Sequence, residues 1–217
     1  MGKNKLTIFS LTVYCLLISV SCNRKNQDFV GKDAAFNELL DLKHYQYTAV
    51  KLTDSVTAYK GSNNNFSIRG LKKNNLKFGW WEVIDVHDQR KGKFEIMTID
   101  NKEQVNQYIY FDKKGDTIKT HSLFYLTKNE NNTITYKVHF PPTDDQVIHA
   151  QFYFMINKQQ KPQIVSLDKS EVFTYQYKVP VQSRINIVKG MFTIATKRGD
   201  AMGVKNLYTL DTITQRN

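Results

Sequence analysis

Apolar and polar side chains alternate with a period of two over much of this chain. The clearest case is residues 134–140 (ITYKVHF), and the same alternation recurs at residues 148–156 and 173–179. Because successive side chains of a strand point to opposite faces, each segment is typical of a half-buried strand. Further segments bring the prediction to about ten or eleven strands at the spacing of an antiparallel all-β protein. These segments lie at residues 81–86, 93–99, 106–111, 117–126, 163–167, 184–188, 191–196 and 206–213.

One segment near the start follows a helical period instead. Phe36, Leu39 and Leu40 recur at spacings of three and four, and Asp33 precedes them as a candidate N-cap. The spacing predicts a short helix through about Tyr45 that packs on the β body. Loops are predicted at residues 61–65 (GSNNN), and hairpin turns at residues 112–115 and 197–200, where a glycine supplies a positive φ.

The N-terminus has the pattern of an export signal. Lys3 and Lys5 precede an apolar stretch over residues 6–20, which suits a signal peptide and is shorter than the about 20 residues of a membrane-spanning helix. Residues 19–23 (SVSCN) resemble the lipobox of Gram-negative lipoproteins. The resemblance implies removal of residues 1–21, acylation of Cys22 with fatty acyl chains such as palmitate, and a flexible tether over residues 22–32. A soluble secreted protein cut nearby and an uncleaved anchor are the alternatives.

The charge and the cysteine content limit the kinds of partner and of site that we expect. Loss of residues 1–21 removes two lysines and no acid, so the formal charge falls from +11 to +9. Such a charge favours acidic glycans, lipopolysaccharide phosphates or anionic headgroups as partners, unless the lysines only solvate the β surface. Nucleic acid is disfavoured as a partner, because the protein is predicted to be exported. Cys15 lies in the signal and Cys22 is the lipid site, so no disulfide and no Cys-zinc site is expected in the mature body.

Two glycine-bearing segments suggest the architecture of the first half. Residues 78–85 (FGWWEVID) and 108–118 (YIYFDKKGDTI) resemble degenerate MORN-type repeats of bacterial exported lipoproteins, over residues 77–120. The resemblance implies an antiparallel sheet of stacked strand pairs, with Gly79 and Gly115 as turn residues, Trp80 or Trp81 in the core, and no catalytic residues. The second Trp, the irregular spacing and the small number of units depart from that family.

A polar cluster at residues 128–132 (KNENN) predicts a division of the chain. Residues 33–127 would hold the short helix and the MORN-like antiparallel sheet, and residues 128–217 an immunoglobulin-like β-sandwich. One continuous sandwich is the alternative.

Adjacent tryptophans offer a binding surface. On a strand, Trp80 and Trp81 point to opposite faces, so that one enters the core while the other meets solvent or a partner. A solvent-facing Trp flanked by Tyr108 and Tyr110 would stack on a sugar ring or grip a protein. The alternative is that these rings pack under the N-terminal helix.

Three short motifs suggest a modification. Asp54-Ser55-Val56, Asp116-Thr117-Ile118 and Asp211-Thr212-Ile213 resemble the acceptor sequence of a bacterial periplasmic O-glycosylation system. The resemblance implies Ser55, Thr117 and Thr212 as acceptors. Local hydrogen bonding at turn-to-strand junctions explains such pairs equally simply.

Catalytic chemistry has little support in the sequence. The five histidines lack metal-ligand spacing, and no nucleophile elbow, P-loop or dinucleotide motif occurs. We therefore predict no metal site and no cofactor. The best cluster is His139 with Asp144, Asp145 and His149, which would need to converge to act as an acid/base or metal site. Otherwise the acidic pair is a solvated turn and both histidines lie on exposed strand faces.

Together these patterns predict a lipid-anchored protein of the outer membrane, facing the periplasm rather than the cell surface. We expect a non-catalytic binding or structural module whose partner is the membrane and an envelope protein or acidic glycan. A carrier or sensor of an apolar ligand in a β half-barrel is the first alternative. A hydrolase that uses His139 and Asp144 or Asp145 is the second.

Overall fold

The computed structural model describes residues 35–130, 132–157, 161–180 and 185–214. Over these ranges, fourteen strands form three antiparallel sheets and the helical segments are short. The prediction of an all-β fold with a short N-terminal helix is confirmed. No helix within the described ranges is long and apolar enough to cross a membrane.

The first unit is a six-stranded meander in which each strand pairs with the next along the chain. The strands are β1 (Gln46–Lys51), β2 (Val56–Ser62), β3 (Phe66–Lys73), β4 (Leu76–Asp85), β5 (Lys91–Ile99) and β6 (Lys102–Phe111). One face is apolar and buried, with Ile68, Trp81, Val83 and Phe94 at its centre. The other face carries most of the charged side chains that alternate with these residues.

A helical segment covers the apolar face of this sheet. Helix α1 (Ala35–Leu39) is followed by a 3-10 turn (Leu42–His44), and Leu39, Leu40 and Leu42 are buried against the sheet. The helix is shorter than predicted because Asp41 accepts a hydrogen bond from the Lys43 N–H at 3.0 Å, which begins the new turn. The candidate cap Asp33 lies outside the described residues.

The second unit is a sandwich of two four-stranded sheets, with strand orders β10-β9-β13-β14 and β11-β12-β8-β7. Its strands are β7 (Phe124–Glu130), β8 (Thr133–His139), β9 (Gln146–Ile156), β10 (Gln163–Ser166), β11 (Asp168–Glu171), β12 (Thr174–Pro180), β13 (Ile185–Arg198) and β14 (Ala201–Thr214). Aromatic rings from both sheets fill the space between them. Phe152 stacks on Phe192 with ring centroids 4.0 Å apart, and Tyr136 of the facing sheet packs on both rings.

Residues 128–130 and 132 of the polar cluster lie where β7 ends and β8 begins, and these two strands pair within one sheet of the sandwich. The meander ends with β6, and the sandwich begins with β7. The two units are therefore joined by residues 112–123, which include the turn at Gly115 (φ 90°).

The number of strands exceeds the sequence prediction because several strands lack a clear alternation. All six residues of β1 are exposed, so its sequence carries no apolar face. The described part of the first predicted segment (185–188) and the segment 191–196 belong to the single strand β13, and Gly190 lies inside it. A Cβ at Gly190 would lie 2.4 Å from the Tyr153 carbonyl oxygen, so this glycine permits close packing and does not mark a turn. The predicted loop at residues 61–65 is also shorter, since β2 continues to Ser62.

A β-bulge interrupts the pairing of β3 and β4. Arg69 pairs with Glu82 and Leu71 with Phe78, so Gly70 alone faces the three residues 79–81. Gly79 has φ 64°, which a residue with a Cβ adopts only with strain. The bulge sets the orientation of the two tryptophans that follow Gly79.

The indole of Trp81 fills the space that Gly70 leaves on the neighbouring strand. Trp81 is fully buried, and its Nε1–H donates a hydrogen bond of 3.1 Å to the Leu71 carbonyl. A Cβ at Gly70 would lie 2.1 Å from Cδ2 of the indole. No rotation of a flexible side chain relieves such an overlap, because the obstacle is a buried ring.

We expect Gly70→Ala to destabilise the protein by about 2 kcal/mol, the usual cost of overpacking a filled core. Chemical denaturation followed by the fluorescence of the tryptophans measures the change. Ser67→Ala, on the same strand, is the control and should leave the transition unchanged. A Gly70→Ala protein with the stability of the wild type would contradict this account of the core.

Candidate functional site

The bulge in β4 places Trp80 on the face opposite to Trp81. Trp81 is inaccessible to solvent, whereas 43% of Trp80 is exposed. An exposed indole is notable because tryptophan is strongly buried on average and is enriched where proteins bind partners. The sequence predicts that one of the two is buried, and the structure identifies Trp80 as the exposed one.

Charged residues lie in one row across the sheet next to Trp80. Four successive strands contribute Lys60, Arg69, Glu82 and Lys93 as cross-strand partners. Direct partners in antiparallel strands project from the same face. The row therefore presents three cations and one carboxylate on the exposed face of the meander. We call Trp80 and these four residues the Trp80 face.

Glu82 organises the row from a buried position. Only 7% of Glu82 is exposed, and a carboxylate so buried requires charged or polar partners. Its Oε2 accepts hydrogen bonds from Nε and Nη2 of Arg69. Its Oε1 lies 3.5 Å from Nζ of Lys91. The carboxylate is thus neutralised within the protein and holds the Arg69 guanidinium over the sheet.

An open depression of about 360 Å³ lies at this place. Trp80, Arg69, Glu82 and Lys93 line it together with Leu71 and Tyr59. Its walls combine aromatic and aliphatic surface with charged groups. Such a mixture suits a ligand that has both an apolar face and polar substituents.

A polar network fixes the Trp80 face relative to the sandwich. Glu95 is the cross-strand partner of Trp80, and its Oε2 accepts hydrogen bonds from the side-chain amides of Asn106 and Gln107 at 2.7 and 2.8 Å. Asn106 also donates to the Tyr208 carbonyl at 2.9 Å and accepts from the Tyr208 N–H at 2.7 Å. Because Tyr208 belongs to β14, these bonds join the meander to the sandwich beside the site.

The structure separates the other predicted binding aromatics from Trp80. Tyr110 is 2% exposed and packs edge-on against Phe94, with ring centroids 5.8 Å apart. Tyr108 lies against Phe36 of α1 at a centroid distance of 4.8 Å. Both rings therefore belong to the packing under the helical segment.

His139, Asp144, Asp145 and His149 are not brought into one constellation. His139 is buried: its Nε2–H donates to the Lys119 carbonyl at 2.8 Å, and its Nδ1 accepts from the Thr174 hydroxyl at 3.0 Å. Asp145 forms an ion pair with Arg198 at 2.5 Å. Asp144 and His149 are exposed. In the described part of the chain, no hydrogen bond or ion pair links His139 to any of the other three.

Ser55, Thr117 and Thr212 are all exposed. Their preceding aspartates differ, because Asp54 is exposed in the β1–β2 turn whereas Asp211 accepts hydrogen bonds from the Tyr125 and Tyr136 hydroxyls at 3.1 and 3.0 Å. Burial, together with this carboxylate, raises the pKa of both tyrosines. Asp211 therefore links β14 to β7 and β8.

Cys22, the predicted lipidation site, lies outside the described residues. Among the residues that are described, no group of three or more His, Cys, Asp or Glu side chains is arranged to hold a metal ion.

No protein-family model matches the chain, and no curated protein matches its sequence.

Sequence reasoning missed Arg69, Glu82 and Lys93 as parts of one site. They lie on three different strands, and only the register of β3, β4 and β5 makes them neighbours. The one signal for such a row in the sequence is that charged residues occupy alternate positions in consecutive strands. The bulge at Gly79 obscures it by shifting the register within β4.

The environment of His139 predicts how stability depends on pH. Burial lowers the pKa of His139 below its ordinary 6.5, so the unfolded chain binds a proton there more readily than the folded protein. Stability should therefore fall as the pH decreases below about 6.5. We expect His139→Gln to weaken this dependence. Denaturation midpoints between pH 5 and 7.5 measure it.

The exposed His149 provides the matched control. His149→Gln should leave the pH dependence as in the wild type. An equal effect of the two substitutions would contradict the assignment to His139.

Proposed function

We propose that this chain is a lipid-anchored protein of the cell envelope whose β body is a non-catalytic binding module. The Trp80 face is its binding surface, and an envelope glycan or protein is its partner. The observation that carries the proposal is the exposed indole of Trp80 beside an open, charged depression. Trp81 packs in the core of the meander, whereas Trp80 lies on the opposite face and does not pack in that core.

The energetics of binding favour this surface over the rest of the described exterior. A tryptophan that becomes buried on binding contributes more than most residues, and the surrounding charges add specificity. The network of Glu95, Asn106 and Gln107 holds the neighbouring strands in place. A surface that is ordered before binding loses less conformational entropy when it binds.

The anchor is proposed from the N-terminal sequence. A lipobox-like Cys22 after an apolar signal supports acylation at this residue and retention at the outer membrane, on the periplasmic side. Several acyl chains would hold the protein stably, since each buried methylene contributes about 0.8 kcal/mol.

The two alternatives receive less support. A carrier of apolar ligands requires an enclosed apolar cavity, whereas the depression at Trp80 is open and lined partly by charged groups. A hydrolase that uses His139 needs a free ring nitrogen, and both nitrogens of His139 are hydrogen bonded.

Replacement of the lipidated cysteine tests the anchor. Cys22→Ala should abolish labelling by radioactive palmitate and release the protein from membranes, because the variant lacks the thiol that would carry the lipid. Cys15→Ala, within the signal itself, is the matched control and should be labelled normally. Undiminished labelling of the Cys22→Ala protein would refute the lipoprotein proposal.

Replacement of the exposed tryptophan tests the binding surface. We expect Trp80→Ala to weaken retention on immobilised envelope glycans and proteins by roughly 30-fold, which corresponds to about 2 kcal/mol for a central aromatic contact. Tyr47→Ala, a change at another exposed aromatic residue (51% exposed) of the same sheet, should have little effect. If the Trp80→Ala protein is retained as well as the wild type, the binding surface lies elsewhere.

A further inference from the structure

We propose that the Trp80 face binds an anionic sugar ring, namely a hexuronate residue of an acidic polysaccharide. Trp80 stacks on the ring, while Arg69 and Lys93 bind the carboxylate. The inference rests on the function proposed above and names the chemical class of the ligand.

The charge of the face favours an anion. Lys60, Arg69 and Lys93 lie in one row with Glu82, whose carboxylate is already neutralised by Arg69 and Lys91. In the described part of the chain, none of the ion pairs includes Lys60 or Lys93. The face therefore keeps a positive charge that an acidic ligand would complement.

Glu95 adds a second carboxylate to this face, because it is the cross-strand partner of Trp80 and lies two residues from Lys93 on β5. Its Oε2 is bound by the amides of Asn106 and Gln107 on β6. These two donors lie on the side of the meander that faces the sandwich, away from Arg69 on β3. With Lys91, which pairs with Glu82, this surface carries four cations against two carboxylates, so a net positive charge remains.

The spacing of the groups suits a sugar ring with one acidic substituent. Trp80 and Glu82 are two residues apart on β4, which corresponds to about 7 Å along the strand. Arg69 and Lys93 lie on the strands at either side, each about 5 Å from β4. A ring that packs flat on the indole therefore places a carboxylate on C5 within reach of both cations.

The aromatic component favours a saccharide over a simple anion. One face of a pyranose ring consists of C–H groups, which carry partial positive charge and pack on the electron-rich face of an indole. The ring hydroxyls point outward and can use the open side of the depression. An inorganic anion would contact the cations but would leave the indole uncovered.

The test uses tetragalacturonate and its fully methyl-esterified form as probes. Esterification neutralises the carboxylates and keeps the rings, so the pair isolates the contribution of charge. Binding to the purified full-length protein is measured by calorimetry and by quenching of Trp80 fluorescence. We expect the acidic probe to bind about tenfold more tightly than the ester and to lose affinity as the salt concentration rises.

Three variants locate the binding. Trp80→Ala and Lys93→Gln should each weaken binding of tetragalacturonate by about tenfold or more. Lys205→Gln removes the same charge from an exposed position on β14 and should leave binding unchanged. Circular dichroism verifies that all three variants are folded.

The contrary outcomes separate this inference from the proposed function. If the acid and the ester bind equally and both need Trp80, the binding surface stands and the anionic ligand is refuted. If the acid binds but the effects of Trp80→Ala and Lys205→Gln are equally small, binding is diffuse electrostatic attraction and the hexuronate inference is refuted, while the retention test of Trp80→Ala decides the proposed function. Absence of binding at millimolar concentrations refutes the hexuronate, and the Trp80→Ala comparison on glycans and proteins then decides the proposed function by itself.

Discussion

The first half of this molecule depends on the contact between the Trp81 indole and Gly70. The indole occupies the space of the missing side chain, and its N–H bonds to the carbonyl of the next residue on β3. This arrangement requires three residues of β4 to face one residue of β3, and Gly79 supplies the left-handed backbone that makes the bulge. The buried core and the outward direction of Trp80 are two results of this one local geometry.

A different kind of constraint joins the halves. The amides of Asn106 and Gln107 are each 4% exposed, and a buried amide without partners would be costly. Asn106 meets this demand with Glu95 and the Tyr208 backbone, and Gln107 with Glu95 and the Tyr125 N–H. These directional bonds specify one arrangement of the meander and the sandwich, which apolar contacts alone specify less sharply. These bonds lie next to the Trp80 face, because Glu95 is the cross-strand partner of Trp80.

The sequence predicted the fold class well where side chains alternate strictly. Residues 134–140 correspond closely to β8 (Thr133–His139), because a sheet with one buried face needs that alternation. The sequence predicted β1 and β13 poorly. β1 has no buried face, and Gly190 permits close packing inside β13 and does not mark a turn. The site was partly predictable, because one of two adjacent tryptophans must face outward. Its charged members were not, because the register of strands depends on bulges and on contacts such as that between Asn106 and Tyr208, 102 residues apart.

The two hydrogen bonds between Asn106 and Tyr208 also affect whether copies of this protein can associate through the edges of their sheets. β14 is an edge strand of 14 residues, and exposed edges of that length offer unpaired N–H and C=O groups to strands of other molecules. The Asn106 side chain occupies both backbone groups of Tyr208, as a neighbouring strand would do. An incoming strand therefore cannot pair continuously along β14, because its midpoint is already taken. The contact that joins the two halves thus also protects the protein against edge-to-edge aggregation.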